Sequence, residues 1–155
     1  MATRSQYKAA IASALTDFLA DSLTSASVVK YDPFWDFSAT AADLEDRLPA
    51  VCIRYANGTA DDAENPDGLG WVTFWNVIYM HKIDRENEFQ YEEALDTIEG
   101  LFEQDDYPFP GDLEADGLLI RYCRPESDST FDELADRGIG GVVVGLAIAY
   151  EVYPR

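Results

Sequence analysis

The stretch WVTFWNVIYMH, residues 71–81, decides the fold of this chain. Its β-branched and aromatic residues are typical of a β-strand, in which successive side chains point to opposite faces of a sheet. One predicted face carries Trp71, Thr73, Trp75, Val77, Tyr79 and His81, and the other carries Val72, Phe74, Asn76, Ile78 and Met80. Because both faces are mostly apolar, each of them needs a cover that excludes water.

Two predicted helices supply a cover for one of these faces. Residues 5–23 place apolar side chains at three- and four-residue steps, and residues 88–104 carry a similar stripe with acids on the opposite side. The other face must be covered by the aromatic segment 34–37 or by a neighbouring molecule, and we favour a neighbouring molecule. The predicted subunit-interface residues are Phe34, Trp35, Trp71, Trp75 and Tyr79.

The rest of the chain predicts further strands around this central one. Short apolar runs that are typical of strands occupy residues 28–31, 50–56, 118–123 and 141–153. Residues 41–47 suit one or two helical turns. Since no internal repeat or linker divides the chain, residues 1–155 predict a single α+β domain. We expect a mainly antiparallel sheet of four to five strands, with an N-terminal helix and a second helix packed on one face.

The charge of the chain limits its partners. There are 30 acidic and 11 basic side chains, so the net charge is −19. Such a surface repels phosphate and anionic lipid, which excludes nucleic-acid binding through Lys and Arg as the main function. Abundant acid with scarce lysine also suits a protein from a salt-loving source, since at about 1 M salt the Debye length falls to roughly 3 Å. An ordinary acidic protein is the alternative, and thermal unfolding at low and high NaCl separates the two.

Composition predicts neither a membrane segment nor a cofactor. The longest apolar stretch, residues 140–150, is too short for a membrane-spanning helix, and the N-terminus lacks the apolar core of a secretion signal. We therefore expect a soluble protein that is made and used, or assembled, in the cytoplasm. Cys52 and Cys123 lie in apolar runs, as small core residues do. The single histidine, His81, leaves little from which to build a metal site or a Cys–His pair.

Sequence motifs predict no catalytic site. Carboxylate pairs of the kind that glycosidases use arise by chance among 30 acids. Residues 61–68 resemble a calcium-binding loop, but Pro66 stands where the third ligand belongs. The glycines of residues 138–141 precede a predicted strand rather than the helix of a phosphate-binding loop, and they suit a bulge or a tight entry to that strand. We expect no enzyme activity, no metal site and no cofactor.

The order of these elements resembles the tail terminator proteins of long-tailed phages and of related archaeal tailed viruses. The matching features are the N-terminal helix that leads to residues 28–31, the strand that opens with residues 49–51, the long strand 71–81, the helix that includes residues 91–98, and the closing strand 142–153. The resemblance spans nearly the whole chain, and it rests on the order and length of the elements.

This resemblance implies a structural virion protein without catalysis. Proteins of this family close the head-proximal end of the tail tube as a ring, which ends tail polymerisation and joins the tail to the neck and head. The implied assembly is a homohexamer that contacts the tail tube protein and a neck or head-completion protein, while DNA passes through an acidic bore without specific binding. The acids that we expect to line the bore or to contact the tube and neck are Asp61, Asp62, Glu64, Asp67, Asp105, Asp106, Asp112, Glu114 and Asp116.

Two other functions are alternatives to a ring protein. An acidic DNA mimic would occupy a DNA-binding protein with carboxylates that imitate phosphate spacing, and it should be acidic along one elongated face. A small hydrolase would need a catalytic site, which the motifs do not provide. Gel filtration separates the first alternative from the ring, because a mimic should be a monomer or dimer that binds a basic enzyme.

Overall fold

The computed structural model describes residues 4–36, 42–60, 70–102 and 118–152. Its elements in chain order are α1 (Arg4–Ser22), β1 (Val28–Tyr31), a 3-10 turn (Glu45–Arg47), β2 (Ala50–Ala60), β3 (Gly70–Lys82), α2 (Gln90–Gly100), β4 (Leu118–Phe131), a second 3-10 turn (Ala135–Arg137) and β5 (Ile139–Val152). The strands form one five-stranded sheet in the order β1-β2-β3-β5-β4. β1 runs parallel to β2 and every other neighbouring pair is antiparallel, so the predicted α+β fold with a mainly antiparallel sheet is confirmed.

The face of the sheet that carries Trp75 and Val77, here called the first face, packs against both helices. The buried residues that meet there include Ile11, Leu15 and Leu19 of α1, Ile98 of α2, and Val144, Leu146 and Ile148 of β5. The aromatic rings of Phe18 and Phe102 also meet between the two helical segments, with centroids 5.5 Å apart. The prediction that both helices pack on one face is therefore confirmed, and this layer buries most of the large apolar side chains.

The opposite face, here called the second face, has a cover of its own over one half. Ile78 and Met80 of β3 are buried there together with Trp35, Leu44 and Leu134, which come from the segments that precede β2 and β5. The cover of this half is therefore intramolecular. Our preference for a neighbouring molecule was wrong at this place, because the chain between β1 and β2 brings Trp35 and Leu44 onto the sheet.

The length of β4 is the feature of the fold that the sequence underestimated most. The apolar pattern predicts a strand that ends at residue 123, whereas β4 continues to Phe131. The register shifts between Ile120 and Tyr122 and again between Pro125 and Ser127, which interrupts the alternation of the side chains. Residues 126–130 are also exposed, so no apolar alternation could mark them as part of a strand.

The glycines around the start of β5 serve two separate purposes. Gly138 ends the second 3-10 turn with a φ of 75°, a conformation that side chains with a Cβ rarely adopt. Gly141 lies within β5, where a Cβ would collide with the Phe131 ring and with the Tyr79 carbonyl oxygen. The second purpose differs from the predicted bulge or tight entry, because Gly141 lets an aromatic ring of the second core lie directly on the strand.

Candidate intermolecular surface

Trp75, the central residue of the predicted subunit interface, is buried inside the protomer. Its side chain is 0 % exposed. The Trp75 Nε1–H donates to Thr73 Oγ1 at 2.8 Å, and that hydroxyl donates to the Ile148 carbonyl oxygen at 2.8 Å. Tyr55 meets the indole edge-on, with ring centroids 5.2 Å apart. The predicted interface role of Trp75 was therefore wrong, because the helical layer already covers its face and its polar atom is satisfied.

The other predicted interface residues divide between core and surface. Trp35 is buried in the second core, so it too offers no surface to a neighbour, and its predicted interface role was wrong. Trp71 and Tyr79 are partly exposed and pack against the first core. Phe34 is 87 % exposed, and its backbone N–H donates to Asp32 Oδ1 at 3.0 Å. Of the five residues, Phe34 is thus the most accessible.

The acids that were assigned to the bore or to contacts with tube and neck lie outside the described residues. They are Asp61, Asp62, Glu64 and Asp67 in one segment, and Asp105, Asp106, Asp112, Glu114 and Asp116 in another. Their assignment stays a prediction. The candidate surface is therefore built from the described strands.

The part of the second face that lies outside the second core carries a surface that the sequence did not single out. Val72 and Phe74 of β3 and Tyr122 of β4 are partly exposed, whereas Arg54 of β2 and Arg124 of β4 are exposed. We call these five residues the open patch. They combine apolar and aromatic groups with two guanidinium groups, which is the composition that energetically important contacts between proteins favour.

The strand register places the open patch on the second face. Phe74 lies opposite Ala147 of β5, and Ala147 lies opposite Arg124. Ala149 lies in the same way between Val72 and Tyr122. Arg54 pairs with Asn76, which lies two residues from Phe74 on β3 and therefore on the same face. Because residues that lie opposite each other across antiparallel strands share a face, all five side chains project from one side of the sheet.

β2 and β4, the two outer strands of the open patch, each contribute one arginine to the surface of a strongly acidic chain. The Arg124 guanidinium lies 4.2 Å from the centroid of the Tyr122 ring, a cation–π contact that leaves its outer N–H groups available. Beside the patch, Arg121 and Glu151 form an ion pair at 3.1 Å. Arg54 and Arg124 thus place two exposed positive charges on one sheet face of a chain whose net charge is −19.

Sequence reasoning placed Val72 and Phe74 on the second face correctly but missed their arginine neighbours. Arg54 was read as one residue of a strand, and Arg124 lay beyond the predicted end of β4. The register shift after Ile120 also reverses which side chains of β4 share a face. A plain alternation from residue 118 would have put Tyr122 on the first face, so the patch could be found only from the register.

Neither cysteine is suited to nucleophilic chemistry. Cys123 belongs to the first core, and its burial raises the pKa of the thiol to about 12. Cys52 belongs to the second core, and its pKa is also raised to about 12, chiefly by burial, with Asp32 adding to the rise and Lys30 opposing it. Since the thiolate is the reactive form, both thiols are inert core groups at neutral pH.

His81 is a core residue between β3 and α2. Its side chain is 6 % exposed and contacts the Tyr91 ring edge-on, with centroids 5.4 Å apart. Nδ1 lies 2.9 Å from the Lys82 carbonyl oxygen, which fits the tautomer that carries its proton on Nδ1. Within the described ranges, no group of three or more His, Cys, Asp or Glu side chains is placed to hold a metal ion.

A cavity of about 180 Å³ opens beside the N-terminal part of α1, on the first face. The aromatic side chains of Tyr55, Trp71 and Tyr150 form its walls, and Ser5 and Lys8 lie at α1. Lys8 Nζ lies 4.1 Å from the centroid of the Tyr55 ring. The described residues that line the cavity provide apolar contact and one cation, and they include no acidic side chain and no histidine.

Comparison with known proteins adds no functional assignment. No protein-family model matches the chain. No curated protein matches it either. Among the described helices, none is long and apolar enough to cross a bilayer.

Proposed function

We propose that this chain is a structural protein of tailed virions, of the tail terminator type. In this role it forms a ring at the head-proximal end of the tail tube, ends tail polymerisation and joins the tail to the neck and head. The observation that carries the proposal is the open patch, where partly exposed apolar side chains and two arginines lie on an otherwise covered sheet. A self-associating protein gains stability by burying such a surface against its own copies.

The arrangement of the elements supports the same role. An N-terminal helix, a central long strand followed directly by a helix, and a closing long strand occur in the order on which the resemblance to the tail terminator family rests. The proposed role needs no catalytic site. Both thiols are buried with a raised pKa, and the described residues that line the cavity beside α1 include no acidic side chain.

The proposed partners follow from the position of such a ring. They are further copies of the chain in a homohexamer, the tail tube protein, and a neck or head-completion protein. Assembly would take place in the host cytoplasm, and the product would reside in the virion. The acidic character, with a net charge of −19, would allow DNA to pass through the bore without binding to its wall.

The open patch also argues against the DNA-mimic alternative. A mimic needs a continuous acidic face, because its carboxylates must replace a run of phosphates. The second face instead presents Arg54 and Arg124 over one half, and Lys30 forms an ion pair with Asp32 at 3.7 Å at the β1 side. These guanidinium groups would interrupt a run of carboxylates on this face.

Native mass spectrometry with negative-stain microscopy tests the proposal. The purified chain should give one closed ring of six copies over a range of concentrations, at about 0.15 M and about 1 M salt, where the Debye length is roughly 8 Å and 3 Å. A monomer or a dimer under all of these conditions would overturn the proposed function. Binding of such a monomer to a basic DNA-binding protein would favour the mimic instead.

A further inference from the structure

We propose that the open patch of one copy docks on the outward side of α2 in the next copy. This inference rests on the proposed function, because it names the two surfaces through which the ring would close. The outward side of α2 is defined by Phe89, Glu92, Glu93 and Asp96, and we call it the α2 stripe. Phe89 immediately precedes the helix, and its side chain is 59 % exposed.

The periodicity of α2 separates the stripe from the core. Ala94 and Ile98 are the buried residues of the helix and face the sheet. Positions 92 and 93 each lie three or four residues from both 89 and 96, so the four positions share the opposite side of the helix. Glu92, Glu93 and Asp96 are exposed, and the first turn is held by a hydrogen bond from the Glu93 N–H to the Phe89 carbonyl oxygen at 2.9 Å.

The two surfaces are complementary in charge and in apolar content. The open patch provides two exposed arginines, and the α2 stripe provides three exposed acids. The sequence of α2 contains no basic residue that could neutralise those acids within the helix. The exposed ring of Phe89 suits the partly exposed Phe74 and Tyr122, since aromatic groups at the centre of an interface contribute much of its binding energy.

Arginine is well suited to this contact. Its guanidinium is weakly hydrated and binds carboxylates through paired N–H groups, so it loses less on leaving water than a lysine does. The Tyr122 ring already holds the Arg124 guanidinium 4.2 Å from its centroid. Arg124 is therefore partly ordered before it meets a partner, which lowers the entropy cost of the contact.

The two surfaces lie on opposite sides of the protomer. α2 packs on the first face, with Ile98 in the first core, whereas the open patch projects from the second face. Each copy thus offers the patch to one neighbour and the stripe to another. A contact between two different surfaces is head-to-tail, and repetition of it closes a ring when the rotation allows.

Charge reversal with mixing tests the pairing of the two surfaces. One variant is Arg54→Glu with Arg124→Glu, and the other is Glu92→Arg with Asp96→Arg. Each variant alone places like charges in every contact, so its dissociation constant for assembly should rise at least about a hundredfold and only monomers should remain. A one-to-one mixture should restore rings in which the two variants alternate, which native mass spectrometry reads as equal numbers of both.

A matched control separates a specific contact from the effect of net charge. Arg47→Glu with Lys82→Glu changes the net charge by the same amount as the first variant, at exposed positions outside the patch. This control should assemble as the unmodified chain does. Circular dichroism and thermal unfolding should show that every variant remains folded, because the replaced side chains are exposed.

The outcomes for this inference differ from those for the proposed function. If the unmodified chain forms a ring and the Arg54→Glu/Arg124→Glu variant forms the same ring, the docking inference is wrong while the proposed function stands. Failure of the mixture to recover assembly would equally refute the pairing of these two surfaces. If the unmodified chain forms no ring, the proposed function itself fails.

Discussion

β3 carries similar numbers of apolar residues on the two faces of the sheet, but different elements cover the two faces. On the first face, Trp75 and Val77 lie beneath α1 and α2 and are fully buried. On the second face, Ile78 and Met80 are buried beneath Trp35 and its neighbours, whereas Val72 and Phe74 on the same strand are partly exposed. The comparison shows that an apolar strand face identifies a surface that needs cover, but not the element that provides it.

β5 explains much of this difference, because its side chains alternate in size as well as in direction. Leu146 and Ile148 point to the first face and fill the space beneath the helices. Ala147 and Ala149 point to the second face and are each 0 % exposed. Ala147 lies between Phe74 and Arg124, and Ala149 lies between Val72 and Tyr122, so each alanine has a larger side chain on both neighbouring strands.

The largest expected effect comes from removing a side chain of the first face. Trp75→Ala should lower the free energy of unfolding by about 3–5 kcal/mol, because it leaves a cavity and removes the donor to Thr73. Phe74→Ala, on the next position of the same strand, should cost about 1–2 kcal/mol, since its ring is partly exposed. Urea unfolding of both variants measures the difference.

Equal losses for these two variants would contradict the comparison. They would mean that Phe74 is as well covered in solution as Trp75. The open patch would then be absent, and the proposed docking surface with it.

The element order and the first face could be predicted from the sequence because they depend on regular apolar spacing. Residues 5–23 predicted α1 with its buried stripe, and residues 71–81 predicted β3 to within one residue at each end. The aromatic segment 34–37 was one of the two covers that the sequence offered for the second face, but the sequence could not decide between it and a neighbouring molecule, because Trp35 lies in a loop without apolar periodicity. The open patch could not be predicted either, since the shift after Ile120 determines which side chains of β4 accompany it.

A smaller effect is expected from a glycine of the second core, where the Phe131 ring packs directly against the backbone of β5. Gly141→Ala would place a Cβ against the Phe131 ring and the Tyr79 carbonyl oxygen, so it should destabilise the fold by about 1–3 kcal/mol. Gly100→Ala is the matched control, since a Cβ at that helical position meets nothing within 4 Å. This control should be neutral or stabilise by up to about 1 kcal/mol.

Thermal unfolding of the two glycine variants checks this part of the second core. A Gly141→Ala variant as stable as the unmodified chain would show that the Phe131 ring is not held on β5. The second core would then be looser than the first, and the covered half of the second face would resemble the open half.

The smallest expected effect is a change in the pH dependence of stability. It concerns the two cysteines, one of which is buried on each face of the sheet. Burial raises the pKa of Cys123 in the first core from 9.0 to about 12, and mainly burial does the same for Cys52 in the second core. Between these two pH values the unfolded chain loses the thiol proton while the folded chain keeps it. The stability that each thiol contributes is therefore complete below pH 9 and falls as the pH rises toward 12.

Cys52→Ala and Cys123→Ala should each remove about 1 kcal/mol of the stability loss that the unmodified chain shows between roughly pH 8 and pH 10. Urea unfolding at the two pH values gives this difference directly. A change in packing caused by the substitution lowers the free energy of unfolding equally at both pH values, so it cancels in the difference. Similar reductions for the two variants would mean that both cores exclude water equally. If only Cys123→Ala reduced the loss, water would reach Cys52, and the cover formed by Trp35 and Leu44 would be open in solution. The second face would then be exposed along its whole length, and a neighbouring copy would have to cover far more of it than the open patch.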